Sequence, residues 1–363
     1  MNVTELMTPR ERTQAVFQRR MPDRLPKEVK LTPPLLEELK RRTGSEDPYE
    51  YFGLDVREVY IAQPSSIPDF SVFYPDGVPP LWNPAGWEVG EWGVGSTPGN
   101  AFHFIHIEHP MLGLESVDDL KRYPFPDYSP PARWEHLKGE VAAYHERGLF
   151  VVGFMEWTVF EIAWHMRGMD NLFMDVMFNQ PFARYLLDRI VETRCFQAER
   201  YAEAGVDLIK IGDDLGTQRG LLMSRSMYKE WFWPGHAAVV AAARKVRPDI
   251  LVSYHTDGDC WDVIPDLIAA GIDILNPVQP ECLDLAAVKR EFGKHLMFWG
   301  GIGTQTTMPF ASPAKVVETV HRTIDILGPT GYFPSPTHVL EPEVPWENIE
   351  ALLRAVEEYS ATG

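Results

Sequence analysis

From residue 149 to the end of the chain, short apolar runs alternate with longer amphipathic segments. A short continuous apolar run is typical of a strand buried on both faces, and apolar residues spaced three or four apart are typical of a helix packed on a sheet. The predicted strands are residues 149–154, 206–211, 250–255, 272–276, 295–299 and 332–335. The predicted helices are residues 159–166, 182–204, 227–246, 261–270, 285–292, 313–327 and 346–359.

Two helices and two strands are predicted near the beginning of the chain, at residues 9–20, 34–42, 27–31 and 58–62. The first helix has a clear start, because Thr8 and Glu11 form a capping-box pair and Pro9 suits the first helical position. Counting all segments gives about eight strand–helix units. This predicts an α/β fold, a single (β/α)₈ TIM-barrel domain over residues 1–363 with N-terminal helices. A doubly wound sheet is the alternative, but no GxGxxG follows the first strand.

The segment from about residue 64 to 135 differs from the rest, being rich in proline, glycine and tryptophan. The spacing of Trp82, Trp87 and Trp92 predicts a twisted antiparallel ribbon. Long connections in compact enzymes are usually functional. We therefore expect an insertion or lid over the barrel rim.

Composition restricts the classes of partner. The formal net charge of −18 disfavours nucleic acid, because an acidic chain repels phosphate backbones. No apolar run approaches the ~20 residues of a membrane span, and the first 20 residues show no signal-peptide core. Three cysteines without a CxxC pair fit a cytoplasmic location. A homodimer is compatible with the chain, although no sequence feature decides the oligomeric state.

The stretch over residues 250–260 is the most informative, because a predicted strand ends there in two polar residues. His255 and Asp257 are two positions apart, so their side chains share a face of the strand. In parallel sheets with helical crossovers, ligands bind at the carboxyl ends of the strands. We therefore expect an imidazole and a carboxylate to emerge together at the functional rim.

Other polar residues follow predicted strands and are expected at the same rim. With the pair above, they are Glu156, Asp213, Asp214, Asn276, Gln279, Gln305 and His338. Glu156, Asp213 and His255 are the predicted catalytic acid–base groups, and Asp214, Asn276, Gln279 and Gln305 are predicted to bind substrate. Structural roles are the alternatives to these functional ones: Glu156 caps the following helix, Asn276 shapes a turn before Pro277, and Gln305 hydrogen-bonds to loop backbone. Asp213 and Asp214 are adjacent, so only one of them can point inward.

His255, Asp257 and His338 together form a candidate metal site. Zn²⁺ takes imidazole, carboxylate and thiolate ligands, and a catalytic zinc keeps a fourth position open. Cys260 is an alternative thiolate ligand from the loop. Without a metal, the same residues form a set of hydrogen-bonding and acid–base groups.

Aromatic side chains near these positions are expected to form flat apolar cavity walls or, alternatively, to belong to the barrel core. They are Trp157, Tyr254, Trp261, Trp299 and Phe333, of which Trp157 and Tyr254 are predicted to bind substrate.

Several motifs together resemble one known family. They are 8–12 (TPRER), 22–26 (PDRLP), 114–126, 161–169, 205–220, 255–259 (HTDGD), 276–279 (NPVQ), 298–305 (FWGGIGTQ) and 338–348. With these motifs the chain resembles the uroporphyrinogen decarboxylase-like superfamily, especially its corrinoid-dependent methyltransferase, or O-demethylase, branch. The resemblance covers nearly the whole chain and implies a TIM barrel with its site at the carboxyl rim.

Two departures from the family pattern shape the functional hypothesis. Uroporphyrinogen decarboxylases hold their multiply carboxylated tetrapyrrole with an N-terminal arginine-rich loop, where this chain offers only Arg24 and Lys27. The methyltransferase branch binds zinc with a His-x-Cys pair and a third ligand after the last strand. Here Asp257 stands at the cysteine position, which implies either an altered zinc ligand set or no zinc.

The resemblance therefore implies a methyltransferase that demethylates a small methoxylated compound, most readily an aromatic one. The methyl group would pass to the Co(I) of a partner corrinoid protein, with zinc polarising the ether oxygen. One alternative is a decarboxylase or other lyase, which predicts a metal-free cavity with inward-facing arginines or lysines. Another is a non-catalytic binder of a tetrapyrrole or small aromatic compound.

Overall fold

The computed structural model describes residues 6–74, 76–77, 89–98 and 105–359. Its strands are β1 (Val56–Val59), β2 (Gly95–Pro98), β3 (Ile105–Glu108), β4 (Phe150–Glu156), β5 (Leu208–Gly212), β6 (Gly216–Thr217), β7 (Gly220–Leu221), β8 (Leu251–His255), β9 (Ile274–Asn276), β10 (Met297–Ile302) and β11 (Tyr332–Pro336).

The helices before the middle of the chain are α1 (Pro9–Phe17), α2 (Pro33–Thr43), α3 (Pro48–Phe52), α4 (Val117–Arg122), α5 (Leu137–Glu146), α6 (Phe160–Arg167) and α7 (Met169–Phe178). The later helices are α8 (Gln180–Ala204), α9 (Arg225–Trp231), α10 (Trp233–Val246), α11 (Ile264–Ala270), α12 (Leu285–Phe292), α13 (Thr307–Phe310), α14 (Pro313–Leu327) and α15 (Trp346–Glu358).

The main sheet has seven strands in the described residues, in the order β1-β4-β5-β8-β9-β10-β11, and all of its pairs are parallel. Helices connect successive strands, which is the pattern that the alternation of apolar runs and amphipathic segments predicts. The α/β class is therefore confirmed, and the sheet is of the TIM-barrel type. Each predicted strand after residue 149 is present, with boundaries that differ by at most three residues.

The two edges of this sheet, β1 and β11, flank the predicted strand at 27–31. In the described residues that segment makes one parallel bridge, between Leu31 and Leu340, instead of a full strand. On the other side, the Asp55 amide donates to the Lys27 carbonyl at 3.1 Å. The segment therefore contacts residues that adjoin β1 and β11, and its regular pairing is limited to one residue pair.

Local chemistry explains how several helices begin and end. The capping box at α1 is confirmed: the Glu11 amide donates to Thr8 Oγ1 at 3.2 Å, and the Thr8 amide donates to Glu11 Oε2 at 2.9 Å. The helix predicted over 227–246 divides at Phe232 into α9 and α10. The cause is Pro234, which has no amide donor and is tolerated only in a first turn.

Within the predicted insertion, β2 and β3 form an antiparallel pair, with Gly95 opposite Glu108. Trp82 and Trp87, on which the ribbon prediction partly depends, lie outside the described residues. Trp92 is buried, and the Arg194 guanidinium lies 5.1 Å from its ring centroid. The lid remains a prediction. Among the described helices, none has the length and apolar character of a membrane span.

Candidate active site

Four neighbouring strands end in one row of the sheet. Glu156 on β4 lies opposite Gly212 on β5, Gly212 lies opposite His255 on β8, and His255 lies opposite Asn276 on β9. Equivalent positions of parallel strands face the same side, and Glu156, His255 and Asn276 all line one cavity of about 150 Å³. Gly212 is required in this row, because a Cβ there would collide with the His255 carbonyl oxygen.

The tautomer of His255 follows from its neighbours. Asn276 Nδ2 donates to the Trp299 carbonyl at 3.0 Å, and a carbonyl can only accept. The other end of the amide, Oδ1, therefore faces His255 Nδ1 at 2.6 Å and accepts a hydrogen bond from its N–H. A neutral His255 thus carries its lone pair on Nε2, the tautomer that a metal ligand needs.

His255 and two other predicted residues converge as predicted. His255, Asp257 and His338 each offer a ligand atom, and the three atoms lie within 4.8 Å of one another. The ring centroids of the two histidines are 6.2 Å apart. Two imidazoles and one carboxylate are a ligand set that suits zinc with an open fourth position, so the residues present fit a zinc ion.

Cys260, the alternative thiolate, is not part of this group of described residues. It is buried, and burial raises the pKa of its thiol to about 12. A protonated, buried thiol is a poor metal ligand. The carboxylate of Asp257 is therefore the better candidate.

Acidic groups surround His255. Its Nε2 lies 3.9 Å from Asp257 Oδ1 and 4.0 Å from Asp214 Oδ1, and its Nδ1 lies 3.9 Å from Glu156 Oε1. Burial would lower the pKa of His255, but Glu156 and Asp257 outweigh it and raise the pKa. Burial also raises the pKa of Asp257, which His255 opposes and Asp214 reinforces. Such a surrounding favours a cation at this position.

The cavity continues below His255 into a buried ion-pair network. Lys210 Nζ lies 2.9 Å from Glu156 Oε1, and Lys30 Nζ lies 2.6 Å from Glu58 Oε1. Burial would raise the pKa of Glu156, but Lys210, His255 and Lys30 together lower it to about 2. Glu156 is therefore an anion that holds Lys210, and the alternative that it caps the next helix is not what the structure shows.

Four charged cavity or network residues were missed by sequence reasoning: Glu28, Lys30, Glu58 and Lys210. Lys210 had a visible signal, since it is a charge inside the apolar run of β5, where a buried lysine needs a partner. Glu28 and Lys30 alternate along the predicted strand at 27–31 and so share a face. Glu58 gave no comparable signal, because its partner is distant in sequence.

Asp213 does not face the cavity, which corrects its predicted catalytic placement. Its carboxylate is fully buried and accepts the amides of Val159, Phe160 and Glu161 at the start of α6, at 2.9–3.0 Å. It also accepts His236 Nε2 at 2.6 Å. Asp214 is partly exposed and lies beside the candidate metal ligands: its Oδ1 accepts the Asp257 amide at 2.8 Å and lies 4.0 Å from His255 Nε2.

Five predicted substrate-binding residues, Asp214 and four others, lie outside the described cavity lining. Tyr254 points to the opposite face of β8 from His255, and its hydroxyl lies 3.3 Å from His236 Nε2. Trp157 is half exposed and packs on His165. Gln279 is buried and accepts the Gly258 amide at 2.9 Å, so it supports the loop that carries Asp257. Gln305 is exposed.

The predicted aromatic walls are absent from the described lining, which is polar. Its members are Glu28, Val29, Lys30, Glu156, Lys210, His255, Asn276, Ser335, Pro336, Thr337, His338 and Val339. Trp299 and Phe333 instead stack on each other in the core, with centroids 5.0 Å apart. The Trp299 indole nitrogen donates to the lining residue Glu28 at Oε2, at 2.7 Å, and Lys210 Nζ lies 5.5 Å from the Trp299 ring centroid.

A curled parallel sheet with a polar cavity at its carboxyl ends is the site architecture of barrel-type α/β enzymes. A family model described as "Uroporphyrinogen decarboxylase (URO-D)" matches residues 105–359, which is more than half of the chain. The chain therefore belongs to the uroporphyrinogen decarboxylase family.

Two relatives illustrate the range of this fold. A curated protein named uroporphyrinogen decarboxylase, from Flavobacterium johnsoniae, is 26% identical over 207 residues, which cover 56% of this chain and 57% of the relative. The chain thus matches only a little over half of that protein's length. A solved methyltransferase from Methanosarcina mazei has a TM-score of 0.66 at 17% identity, covering 97% of this chain and 99% of that one. Both named relatives are enzymes.

Proposed function

We propose that the protein is a methyltransferase that removes a methyl group from a small methoxylated compound and passes it to a corrinoid protein. The acceptor in this scheme is Co(I), a nucleophile that takes the methyl group while the electrons of the O–CH₃ bond stay on oxygen. The observation that carries the proposal is the convergence of His255, Asp257 and His338 within 4.8 Å. A methyltransferase among the solved structures of this fold is compatible with it.

His255, Asp257 and His338 would hold the zinc ion in this proposal. Zinc bound by nitrogen and oxygen ligands would supply a Lewis acid for an ether oxygen. The protein's own residues prepare this site. Asn276 sets the tautomer and orientation of His255, and Asp214 holds the Asp257 amide. Such outer contacts orient ligands and raise metal affinity.

Cavity size supports a small substrate. The described cavity of about 150 Å³ is below the range of about 300–1,000 Å³ that drug-sized ligands occupy. A tetrapyrrole with eight carboxylates is far larger than the described space. The polar lining also admits methoxylated compounds without an aromatic ring, so the aromatic substrate stays a prediction.

Decarboxylation is the second candidate, favoured by the family match and by two lysines in the cavity. A carboxylated substrate needs cationic groups free to receive it. Lys30 and Lys210 are instead paired with Glu58 and Glu156, and no arginine is in the described lining. This balance favours a neutral substrate over a polyanion, and for that reason methyl transfer is the preferred proposal.

The proposal takes the sheet to be a closed (β/α)₈ ring in which residues 27–31 hold the eighth position. Glu28 and Lys30 of this segment line the same cavity as His255 on β8. The bridge from Leu31 to Leu340 and the hydrogen bond from Asp55 to Lys27 support this assignment.

Metal analysis of the purified protein and a methyl-transfer assay test the proposal. We expect about one zinc per chain and formation of methylcobalamin from cob(I)alamin with methoxybenzenes or methoxylated aliphatic compounds. His255→Ala should lose both zinc and transfer. His295→Ala, which changes an exposed histidine outside the described cavity lining, is the matched control and should keep both. Full transfer by His255→Ala would show that the site is wrong. Release of CO₂ from a carboxylated substrate by a metal-free preparation would favour the lyase.

A further inference from the structure

Among the described residues, Glu28 differs from the other buried ionisable groups of the cavity because it has no ion-pair partner. Three glutamates and two lysines meet there, and two ion pairs form, Lys30 with Glu58 at 2.6 Å and Lys210 with Glu156 at 2.9 Å. Glu28 has no cationic partner within ion-pair distance among the described residues. The network therefore leaves one carboxyl group without a counterion, and this carboxyl lines the cavity.

The contact that Glu28 does make fixes its place. Trp299 Nε1 donates to Glu28 Oε2 at 2.7 Å, and the Trp299 ring is held by stacking on Phe333, with an interplanar angle of 1°. Among the described residues, the Glu28 carboxyl group makes this one hydrogen bond. The rigid indole of Trp299 thus fixes the position of Glu28 Oε2, and the Glu28 carboxyl group lies beside the cavity.

The surroundings of Glu28 favour its neutral form. Burial raises its pKa, and Glu58 adds to this, while Lys30, Lys210 and the hydrogen bond from Trp299 oppose it without cancelling it. Since each lysine already has a carboxylate of its own, little cationic charge remains to stabilise a third anion. A protonated carboxyl group beside a reaction cavity is a ready proton donor.

We propose that Glu28 is a catalytic general acid that delivers its proton to the oxygen atom released by methyl transfer. This role rests on the proposed methyltransferase function. In the step, the O–CH₃ bond breaks, the methyl group bonds to Co(I) of the corrinoid, and the bonding electron pair stays on oxygen. The Glu28 proton goes to that oxygen and gives a neutral hydroxyl product. Water returns the proton to Glu28 when the product leaves.

Two measurements on Glu28→Gln test this role. Glutamine has nearly the same shape and still offers an oxygen to Trp299, but it cannot transfer a proton. First, the infrared difference spectrum of wild type minus Glu28→Gln at pH 7 should show the C=O band of a neutral carboxylic acid. Second, methyl transfer should be compared for 4-nitroanisole, anisole and 2-methoxyethanol, whose leaving oxygens are progressively more basic. The variant should lose about 10²-fold or more with the most basic leaving group and only a few-fold with 4-nitroanisole, because only basic leaving groups need the proton.

Glu161→Gln is the matched control. Glu161 is also a buried carboxyl whose pKa burial raises, but it is outside the described lining of the cavity. Its variant should lose its own infrared band and keep the wild-type dependence on leaving group. Absence of the Glu28 band, or an equal loss with all three substrates, would overturn the general-acid role. If wild type transfers methyl from none of the compounds, the proposed function itself fails, and Glu28 loses this role with it.

Discussion

Asp213 and Asp214 are adjacent in the sequence, but the structure gives them opposite tasks, and this contrast can be measured. Asp213→Asn keeps the shape of a fully buried side chain and replaces one acceptor oxygen with a donor. Oδ1 accepts the Glu161 amide at 3.0 Å, and Oδ2 accepts Phe160 and His236 at 2.9 and 2.6 Å. In either orientation of the introduced side-chain amide, its NH₂ group faces at least one buried backbone N–H at the start of α6, so two donors meet.

The magnitude follows from these contacts. A buried donor that loses its partner costs about 1–3 kcal/mol, and the remaining hydrogen bonds lose the strengthening effect of the charge. We expect Asp213→Asn to destabilise the fold by about 2–4 kcal/mol. The entropy of unfolding near 60 °C is about 2.1 cal/mol/K per residue, or about 0.76 kcal/mol/K for 363 residues. The expected fall in Tm is therefore about 3–5 °C.

Asp214→Asn is the matched control, because its side chain is 41% exposed and an amide oxygen can still accept the Asp257 amide. Its Tm should change by less than about 1 °C, as surface substitutions usually do. Calorimetry measures both shifts, and zinc content shows whether the site survives. A wild-type Tm for Asp213→Asn together with lost methyl transfer would refute the capping role and return Asp213 to the reaction.

Three further variants test other parts of the structure. Burial lowers the pKa of His165 to about 3, so the unfolded chain binds a proton below about pH 6.5 that the folded chain does not. Stability should thus fall as pH falls, and His165→Phe should gain about 2 kcal/mol relative to wild type between pH 7 and pH 5 in urea unfolding; a pH-independent difference would contradict this. Asn276→Leu should weaken zinc binding about 10–100-fold in chelator competition, while Gln305→Ala should not, and equal affinities would mean that the Asn276 contact is unimportant. Tyr254→Phe should leave methyl transfer unchanged and cost about 1 kcal/mol of stability, because its hydroxyl contacts His236 outside the cavity; a large loss of transfer with normal stability would contradict this placement.

The fold was predictable because the apolar pattern determines it locally. Runs such as 250–255 are strands buried on both faces, and their approximate ends follow from the same pattern. The alternation of side chains was also enough to bring His255 and Asp257 to one rim. By the same rule Tyr254, which is adjacent to His255, faces the helices. The alternation of side chains alone therefore argues against Tyr254 as a substrate-binding residue.

Other parts of the site depended on contacts between distant segments. Which of Asp213 and Asp214 faces inward is decided by the start of α6 and by His236, and no local pattern encodes that choice. The pairing of Lys30 with Glu58 needed the position of the segment at 27–31 next to β1. Buried charges are informative only when their partners are known, because a paired and an unpaired carboxyl have the same sequence appearance.

The charge balance of the cavity connects these observations to substrate choice. Each lysine is neutralised by its own glutamate, and burial raises the pKa of Glu28, which favours its neutral form, so the floor presents little net charge to a ligand. The acidic groups instead gather at the upper end, around His255 and Asp257, where a cation would be stabilised. A substrate that fits both ends has a neutral body and one oxygen to present to that cation. A methyl ether meets this description, and a polycarboxylate does not.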